Sequence, residues 1–275
     1  NGRTIDVSAG TFTMNGGTLD LNGGTVDTST YSHNGGTIQD TSGGGTGQVT
    51  ASGVVNGSAS GNWTGGTLVF DAGASYTWTA GSTAWYNVQI NKTGTTITVS
   101  GTANVTGNFT HTNGILSGGT VNVDGNLTVE ATADGGSATI TLDGTGPQEI
   151  NFTGAGGMPN LKIDKVSGNT TVNAASNPVQ VGLGGIGTFT MQATGTGLFD
   201  LNGRTISVDS GVFSGIFTSN GGTLDLNGGI VDAHTYNHNG GTIQDTAGTG
   251  QVTASGAVTG GAAGNWTGGT LVFDA

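Results

Sequence analysis

Hydrophobic side chains recur at every second position in short stretches that are separated by the tripeptide Asn-Gly-Gly. In 10–41, which reads GTFTM-NGG-TLDL-NGG-TVDTSTYSH-NGG-TIQDT, Leu19 and Leu21 alternate with Thr18 and Asp20. A period of two is typical of β-strands, and no helical period of 3.6 accompanies it. The pattern predicts that the two leucines point inward and that the threonine and the aspartate point outward.

The Asn-Gly-Gly tripeptides are predicted to be corners, because asparagine and glycine accept a positive φ at little cost. The predicted corner glycines are Gly16, Gly17, Gly23, Gly24, Gly35, Gly36, Gly221, Gly222, Gly228, Gly229, Gly240 and Gly241.

Two architectures suit short strands with regular turns, namely tandem antiparallel sandwiches and a parallel β-solenoid. Neighbouring corners lie so close that only four-residue strands such as TLDL fit between them, and the long connections of a Greek key are missing. Three such strands and corners make a coil of roughly 20–24 residues. The sequence therefore predicts an all-β fold, a parallel β-solenoid of about twelve coils, on the order of 55–60 Å long.

A second, longer repeat divides the chain. The decapeptide NGGTLDLNGG occupies 15–24 and returns unchanged at 220–229. The flanking sequence repeats as well, so 1–72 and 202–275 are two copies of one segment, and 73–201 fills the interval. We interpret the chain as one continuous solenoid fragment that spans about one and a third periods of a ~203-residue tandem unit.

The composition favours a thin core along an elongated body. Of 275 residues, 57 are glycine and 8% are charged, whereas hydrophobic residues still make up 33%. Glycine has no three-residue period, which excludes collagen, and the alternation argues against disorder. The net charge is −12, and the few basic residues are scattered, so nucleic acid is not an expected partner. The basic residues are Arg3, Lys92, Lys162, Lys165 and Arg204.

Cysteine is absent, which excludes disulfides and thiolate metal sites. No apolar run approaches the ~20 residues of a membrane helix, so this segment is not expected to insert in a membrane. The chain opens on NGRTI and stops on LVFDA, both in mid-pattern. We expect it to be a piece of a longer protein that continues into further repeats, or to associate with itself end to end or laterally.

The phrases xGGTLxLNGGT and VDGNLTV resemble the parallel β-helix stalks of filamentous-haemagglutinin-like adhesins and autotransporter passengers, and those of giant bacterial surface repeat proteins. The resemblance covers nearly the whole chain. It implies secretion, a rod-shaped body, and a role in adhesion or in an extracellular matrix. The N-terminal secretion domain and the C-terminal barrel of those families are not recognisable here.

The carboxylates allow three interpretations. Asp20 and Asp27, with their copies Asp225 and Asp232, alternate with inward positions and are predicted to point outward. A catalytic interpretation would compare them with paired acids in β-helical polysaccharide enzymes, but no basic partner accompanies them. Calcium binding by stacked carboxylates is a further alternative, although the calcium-binding nonapeptide of RTX repeats does not occur. Solvated aspartates are favoured, and no cofactor is predicted.

The histidines do not form a convincing metal site. His234 and His238 share one strand face, and His33 in the first copy matches His238. Ser29 replaces His234 in that copy, whereas a metal site essential to the unit would be present in both. We therefore expect surface or corner histidines.

The densest aromatic cluster lies in SYTWTAGSTAWYNV at 75–88 and contains Tyr76, Trp78, Trp85 and Tyr86. Exposed aromatic rings would suit sugar stacking or contact with another rod. The competing interpretation is a wide coil whose core needs large side chains.

The preferred function is that of a structural extracellular or cell-surface rod without catalysis, as a fibre segment or an adhesin stalk. Alternatives are a glycan- or surface-binding module that uses the aromatic cluster, a polysaccharide-degrading β-helix enzyme, and an ice-binding solenoid with Thr-X-Thr faces. The last of these requires a uniform coil length, and the glycine spacing varies.

Overall fold

The structure is a computed structural model that describes residues 2–58, 61–71, 74–174, 178–183, 185–192, 195–208 and 214–274. These residues form a stack of β-strands in which all pairs of neighbouring strands are parallel, and they contain no helix. The result is a parallel β-solenoid of about twelve turns. The predicted fold class is confirmed.

The described residues contain 26 strands, numbered here in chain order: β1 Thr4–Asp20, β2 Thr25–Gln39, β3 Gln48–Ala51, β4 Val55–Gly57, β5 Gly61–Trp63, β6 Thr67–Asp71, β7 Tyr76–Thr79, β8 Ala84–Trp85, β9 Asn87–Val105, β10 Phe109–Val123, β11 Leu127–Ala133, β12 Thr139–Leu142, β13 Gln148–Phe152, β14 Gly157–Met158, β15 Asn160–Ile163, β16 Thr170–Ala174, β17 Val179–Val181, β18 Thr188–Gln192, β19 Leu198–Asp200, β20 Thr205–Ser207, β21 Ile216–Asp225, β22 Ile230–Ala233, β23 Thr235–Gln244, β24 Gln251–Ala254, β25 Val258–Trp266 and β26 Thr270–Phe273.

The strand segments stack on three faces, because each turn contributes one segment to each face. The first face begins with 4–7 and 25–28, the second with 11–14 and 30–33, and the third with 18–20 and 37–39. Long strands such as β1 and β2 pass around two corners and so contribute to all three faces. Pairing continues on the first face to 265–266 in the last turn. On the second face the later strands form a separate six-stranded sheet, which is joined to the preceding turns, within the ranges described, by the single bridge Asp134–Gly157 and continues to 270–273.

The core is a set of apolar columns that run along the axis. On the first face Val26 pairs with Val49, Val49 with Leu68, and Leu68 with Val88, and all four side chains are buried. The alternation seen in the sequence places one apolar side chain per pair of residues inside, so identical positions of successive turns stack on each other.

The aromatic residues of the interior stack in the same way. On the third face Phe217 lies between Phe189 and Tyr236, with ring centroids 4.9 and 5.0 Å apart and nearly parallel planes. Phe217 is thus covered on both faces, and all three rings are buried.

Turn length varies more than the sequence pattern predicts. Paired residues are separated by as few as 18 positions, from Phe109 to Leu127, and by as many as 29, from Thr170 to Phe199. In described loops such as 40–47 the extra residues lie at a corner, where added length does not disturb the ladder. A varying turn length argues against a flat ice-binding lattice.

Candidate functional site

The aromatic cluster lies mainly inside the solenoid. Trp78 and Trp85 have 0% exposed surface, and their ring centroids are 5.9 Å apart. Trp85 also contacts Trp63 at 6.0 Å, and Trp78 contacts Phe70 at 5.0 Å. The hypothesis that Trp78 and Trp85 contact a glycan or another rod is therefore wrong for these two residues. The β4–β8 turns are wide enough to need large side chains, as the competing interpretation expected.

The two tyrosines of the cluster differ from the tryptophans. Tyr76 is half-buried, stacks on Phe70 at 6.2 Å, and donates a hydrogen bond to the carbonyl of Ala51 at 2.8 Å. Tyr86 is 38% exposed, because it follows the inward-facing Trp85 by one position. Tyr86 is the member of the cluster with the most accessible ring.

A buried histidine joins the corner at 34–36 to the core. The Trp63 indole N–H, which can only donate, hydrogen-bonds to His33 Nδ1 at 3.0 Å. His33 Nε2 therefore carries the proton and donates to the carbonyl of Gly36 at 3.2 Å. Burial lowers the pKa of His33. The neutral imidazole therefore links Trp63 in the core to Gly36 at the corner by two hydrogen bonds.

The same His-x-x-Gly arrangement occurs twice more. His111 Nε2 lies 2.8 Å from the Gly114 carbonyl, and His238 Nε2 lies 3.4 Å from the Gly241 carbonyl. His234 is half-exposed instead, with Nδ1 3.0 Å from Ser255 Oγ. Surface or corner histidines were predicted at His33, His234 and His238, but the burial of His33 and His238 was not. The recurring spacing H-x-x-G was the available sequence signal.

Among the described residues, no group of three or more histidine or carboxylate side chains is placed to hold a metal ion.

Two of the five scattered basic residues, Lys92 and Lys165, are buried. Lys165 Nζ donates to the carbonyls of Gly144 and Gly146 at 2.6 and 2.8 Å and to Gln148 Oε1 at 2.6 Å. All three donors of the ammonium group are used. Burial lowers the pKa of Lys165, opposed by the nearby carboxylate of Asp143.

Lys92 has a similar role between other turns. Its Nζ lies 4.0 Å from the centre of the Tyr76 ring and donates to the Ala74 carbonyl at 3.0 Å. The two lysines tie corner loops to the stack, and nothing in their sequence spacing indicated this.

Three aspartates stack at the end of the third face. Asp124, Asp143 and Asp164 directly follow Val123, Leu142 and Ile163, which are paired in register. Burial raises the pKa of Asp143 to about 6, and the like charge of Asp124 adds to the effect. Asp164 instead forms an ion pair with Lys162 at 2.7 Å.

Two aspartates fasten the loops that follow the corners. Asp40 accepts hydrogen bonds from the backbone N–H groups of Gly23 and Gly47, both at 2.8 Å. Asp245, the copy of Asp40, accepts from Gly228 at 2.9 Å and from Gly250 at 2.7 Å.

The sequence Asp-Leu-Asn-Gly forms a tight corner at 20–23, 200–203 and 225–228. The asparagine and the glycine both have positive φ, 44° and 73° at Asn22 and Gly23. The N–H of the residue after the glycine bonds to the leucine carbonyl, 2.7 Å in the first corner. These are the features of a type I′ turn. The aspartate accepts the asparagine N–H in each case, at 3.1, 2.7 and 3.0 Å.

The other Asn-Gly-Gly tripeptides make a different corner, in which the strand continues and only the second glycine has a positive φ. The angles are 75° at Gly17 and 90° at Gly36. A Cβ at Gly36 would lie 2.6 Å from the Gly17 carbonyl oxygen of the preceding turn. At Gly36 both φ and close stacking of corners require glycine. The corresponding second glycines of the later copy are Gly222, at 75°, and Gly241, at 80°.

The remaining predicted corner glycines have no positive φ. At Gly24 and Gly229 they complete the turns after Asn-Gly, and at Gly16, Gly35, Gly221 and Gly240 they precede the positive-φ glycine.

The predicted outward aspartates follow the expectation except at one position. Asp20 is exposed, and Asp27 and Asp232 are half-exposed. Asp225 is only 4% exposed, so the prediction of a solvated side chain is wrong there. Its carboxylate accepts hydrogen bonds from Gln244, at 2.9 Å, and from the side chain of Thr246.

Asparagines form a ladder at the corner before the first face. The side-chain oxygens of Asn87, Asn108 and Asn126 accept the backbone N–H of a residue one turn further along, at 2.8, 2.9 and 2.9 Å. The acceptors and donors thus link four successive turns outside the β-ladders.

The fold and these side chains define the chain as a parallel β-solenoid in which polar residues at corners bind one turn to the next. Comparison with family models, with curated proteins and with solved structures finds no match. In the described part of the chain, no helix is long and apolar enough to cross a membrane.

Proposed function

We propose that this chain is a segment of an extracellular or cell-surface structural rod, as part of a tandem-repeat fibre or an adhesin stalk, and that it has no catalytic role. The observation that carries the proposal is the stacking of parallel strands on three faces from the first described turn to the last. At each interface between turns, a load along the axis would be shared by the hydrogen bonds of the three faces.

The polar side chains support this role, because their bonds run from turn to turn. Lys165, His33 and the asparagine ladder each join residues that are 17 or more positions apart. The buried ammonium groups of Lys92 and Lys165, which could otherwise have formed part of a ligand site, donate hydrogen bonds to other residues of the chain. The proposal therefore accounts for the buried polar residues without a ligand.

The two ends support association with further turns. Ile5 is 51% exposed, whereas its copy Ile206 is buried beneath a preceding turn. Phe273 is 69% exposed, whereas Phe70, which it copies, is covered by Ile90 of the next turn. Both end surfaces therefore have an equivalent inside the molecule that is paired. We propose that they pair with further repeats or with a second copy, end to end.

Small-angle X-ray scattering and electron microscopy of the purified chain would test the rod. We expect a particle on the order of 55–60 Å long that lengthens along its axis, at constant width, as concentration rises. A spherical particle would contradict the proposal. Turnover of an acidic polysaccharide would favour the enzyme hypothesis instead.

The glycan-binding hypothesis is now narrower, because it depends on Tyr86 with its accessible ring. Glycan binding that is lost in Tyr86→Ala, with the fold intact, would support it.

A further inference from the structure

The two copies of the repeated segment lie on different faces of the solenoid. Tyr31 is on the second face, where it pairs with Phe12 and Val55. Its copy Tyr236 is on the third face, where it pairs with Phe217 and Val258. The same side chain therefore faces the core from another direction.

Every copied strand segment shifts by one face in the same sense. Gln48–Ala51 lies on the first face and its copy Gln251–Ala254 on the second. The third-face segment 37–39 has its copy 242–244 on the first face. The shift is therefore a property of the whole segment.

The shift follows from the number of strand segments between the copies. Pairing leads along the first face from 4–7 to 198–200 in nine steps. The copy of 4–7 is Thr205–Ser207, which lies one face beyond 198–200, on the second face. One unit thus advances nine and one third turns.

We infer that successive repeat units are rotated by one third of a turn about the rod axis, so that a tandem array displays each copied outer feature in three directions. The inference rests on the proposed function in that it assumes units in tandem. The outward loop 41–46 and its copy 246–249 are such a feature, because both are exposed throughout. A partner of that loop would be met on all sides of the rod.

Electron microscopy of the full chain with two inserted peptide epitopes would test the rotation. The epitopes are placed in loops 41–46 and 246–249, and each binds an antibody fragment. We expect the two fragments to project about 120° apart, separated along the axis by on the order of 45 Å. Fragments that project to the same side would overturn the inference.

A matched control places the epitopes in loops 41–46 and 145–147, which are both exposed throughout. Both loops lie at the corner between the third and first faces, so the fragments should be parallel. If an insertion prevents folding, the cysteine-free chain allows Thr46→Cys and Thr249→Cys with biotin and streptavidin in the same geometry. A rod with parallel labels in the first pair would refute only the rotation, whereas a compact particle would refute the proposed rod.

Discussion

Replacing Lys165 with methionine should destabilise the turns around it far more than the same change at Lys162, three positions earlier. Lys165 is buried and bonds three acceptors, Gly144, Gly146 and Gln148. Methionine fills a similar volume but leaves these acceptors without a donor. Leaving a buried acceptor without its donor costs about 1–3 kcal/mol, and here three acceptors lose the same donor.

Lys162 is the control because its ion pair with Asp164 is partly exposed, with side-chain exposures of 30% and 28%. Such surface pairs contribute about 0–1 kcal/mol. The two variants lose the same charge, so a general effect of net charge cancels between them.

Hydrogen exchange is the suitable assay, because solenoids can open turn by turn and a single global transition is not assured. The reporter is the backbone N–H of Gln148, which donates a hydrogen bond to the backbone carbonyl of Asn169 at 2.9 Å. We expect Lys165→Met to accelerate its exchange at least about a hundredfold, which corresponds to about 3 kcal/mol. An exchange rate within about threefold of the rate in Lys162→Met would refute the idea that the hydrogen bonds of Lys165 hold these turns together.

Three further predictions concern the core and its titrating groups. Because burial lowers the pKa of His33, its contribution to stability should be complete above pH 6.5 and decline as the pH falls below that value. In an NMR titration its imidazole should gain a proton only below pH 6.5. Protonation above pH 6.5 would contradict a buried, neutral His33. The pKa of Asp143 is raised to about 6, so its favourable contribution to the free energy of unfolding is lost as the pH rises through 6. Asp143→Asn should therefore raise the free energy of unfolding by about 1 kcal/mol at pH 7.5 and have little effect at pH 3.5. Equal effects at the two pH values would contradict the raised pKa. Trp85→Ala should cost about 3–5 kcal/mol and Tyr86→Ala less than about 0.5 kcal/mol, as measured by denaturant unfolding; similar losses would place Tyr86 in the core.

Local pattern was sufficient to predict the strands and their direction. Leu21 is buried and Thr18 is exposed, as the two-residue period required. The Asn-Gly corners could be predicted too, because a positive φ at Asn22 and Gly23 is a property of those residue types. Corners only seven residues apart then left little room for any fold other than a solenoid.

The partners of the buried polar groups could not be predicted in this way. Lys165 meets its acceptors across 17 to 21 positions of sequence, a separation equal to about one turn. That separation varies between turns, so only the stacked structure shows which residues meet. The burial of Trp85 likewise depends on distant residues, since its ring packs against those of Trp63 and Trp78.

The two copies of the repeated decapeptide show which properties follow from the sequence and which from the tertiary structure. By itself the sequence determines that Asp20 and Asp225 end a short strand, point away from the leucines and precede an Asn-Gly corner. Both also receive bonds from the following turn, through Gln39 or Gln244. Only the tertiary structure decides that Asp225 is buried, because it lies over Asp200 of the preceding turn.

The same holds for the direction in which each copy faces. Identical residues form identical corners wherever they occur, since corner geometry depends on neighbours in sequence. Their azimuth depends instead on how many strand segments lie between the copies. The intervening turns add a third of a turn, and so place one sequence on two faces of the solenoid.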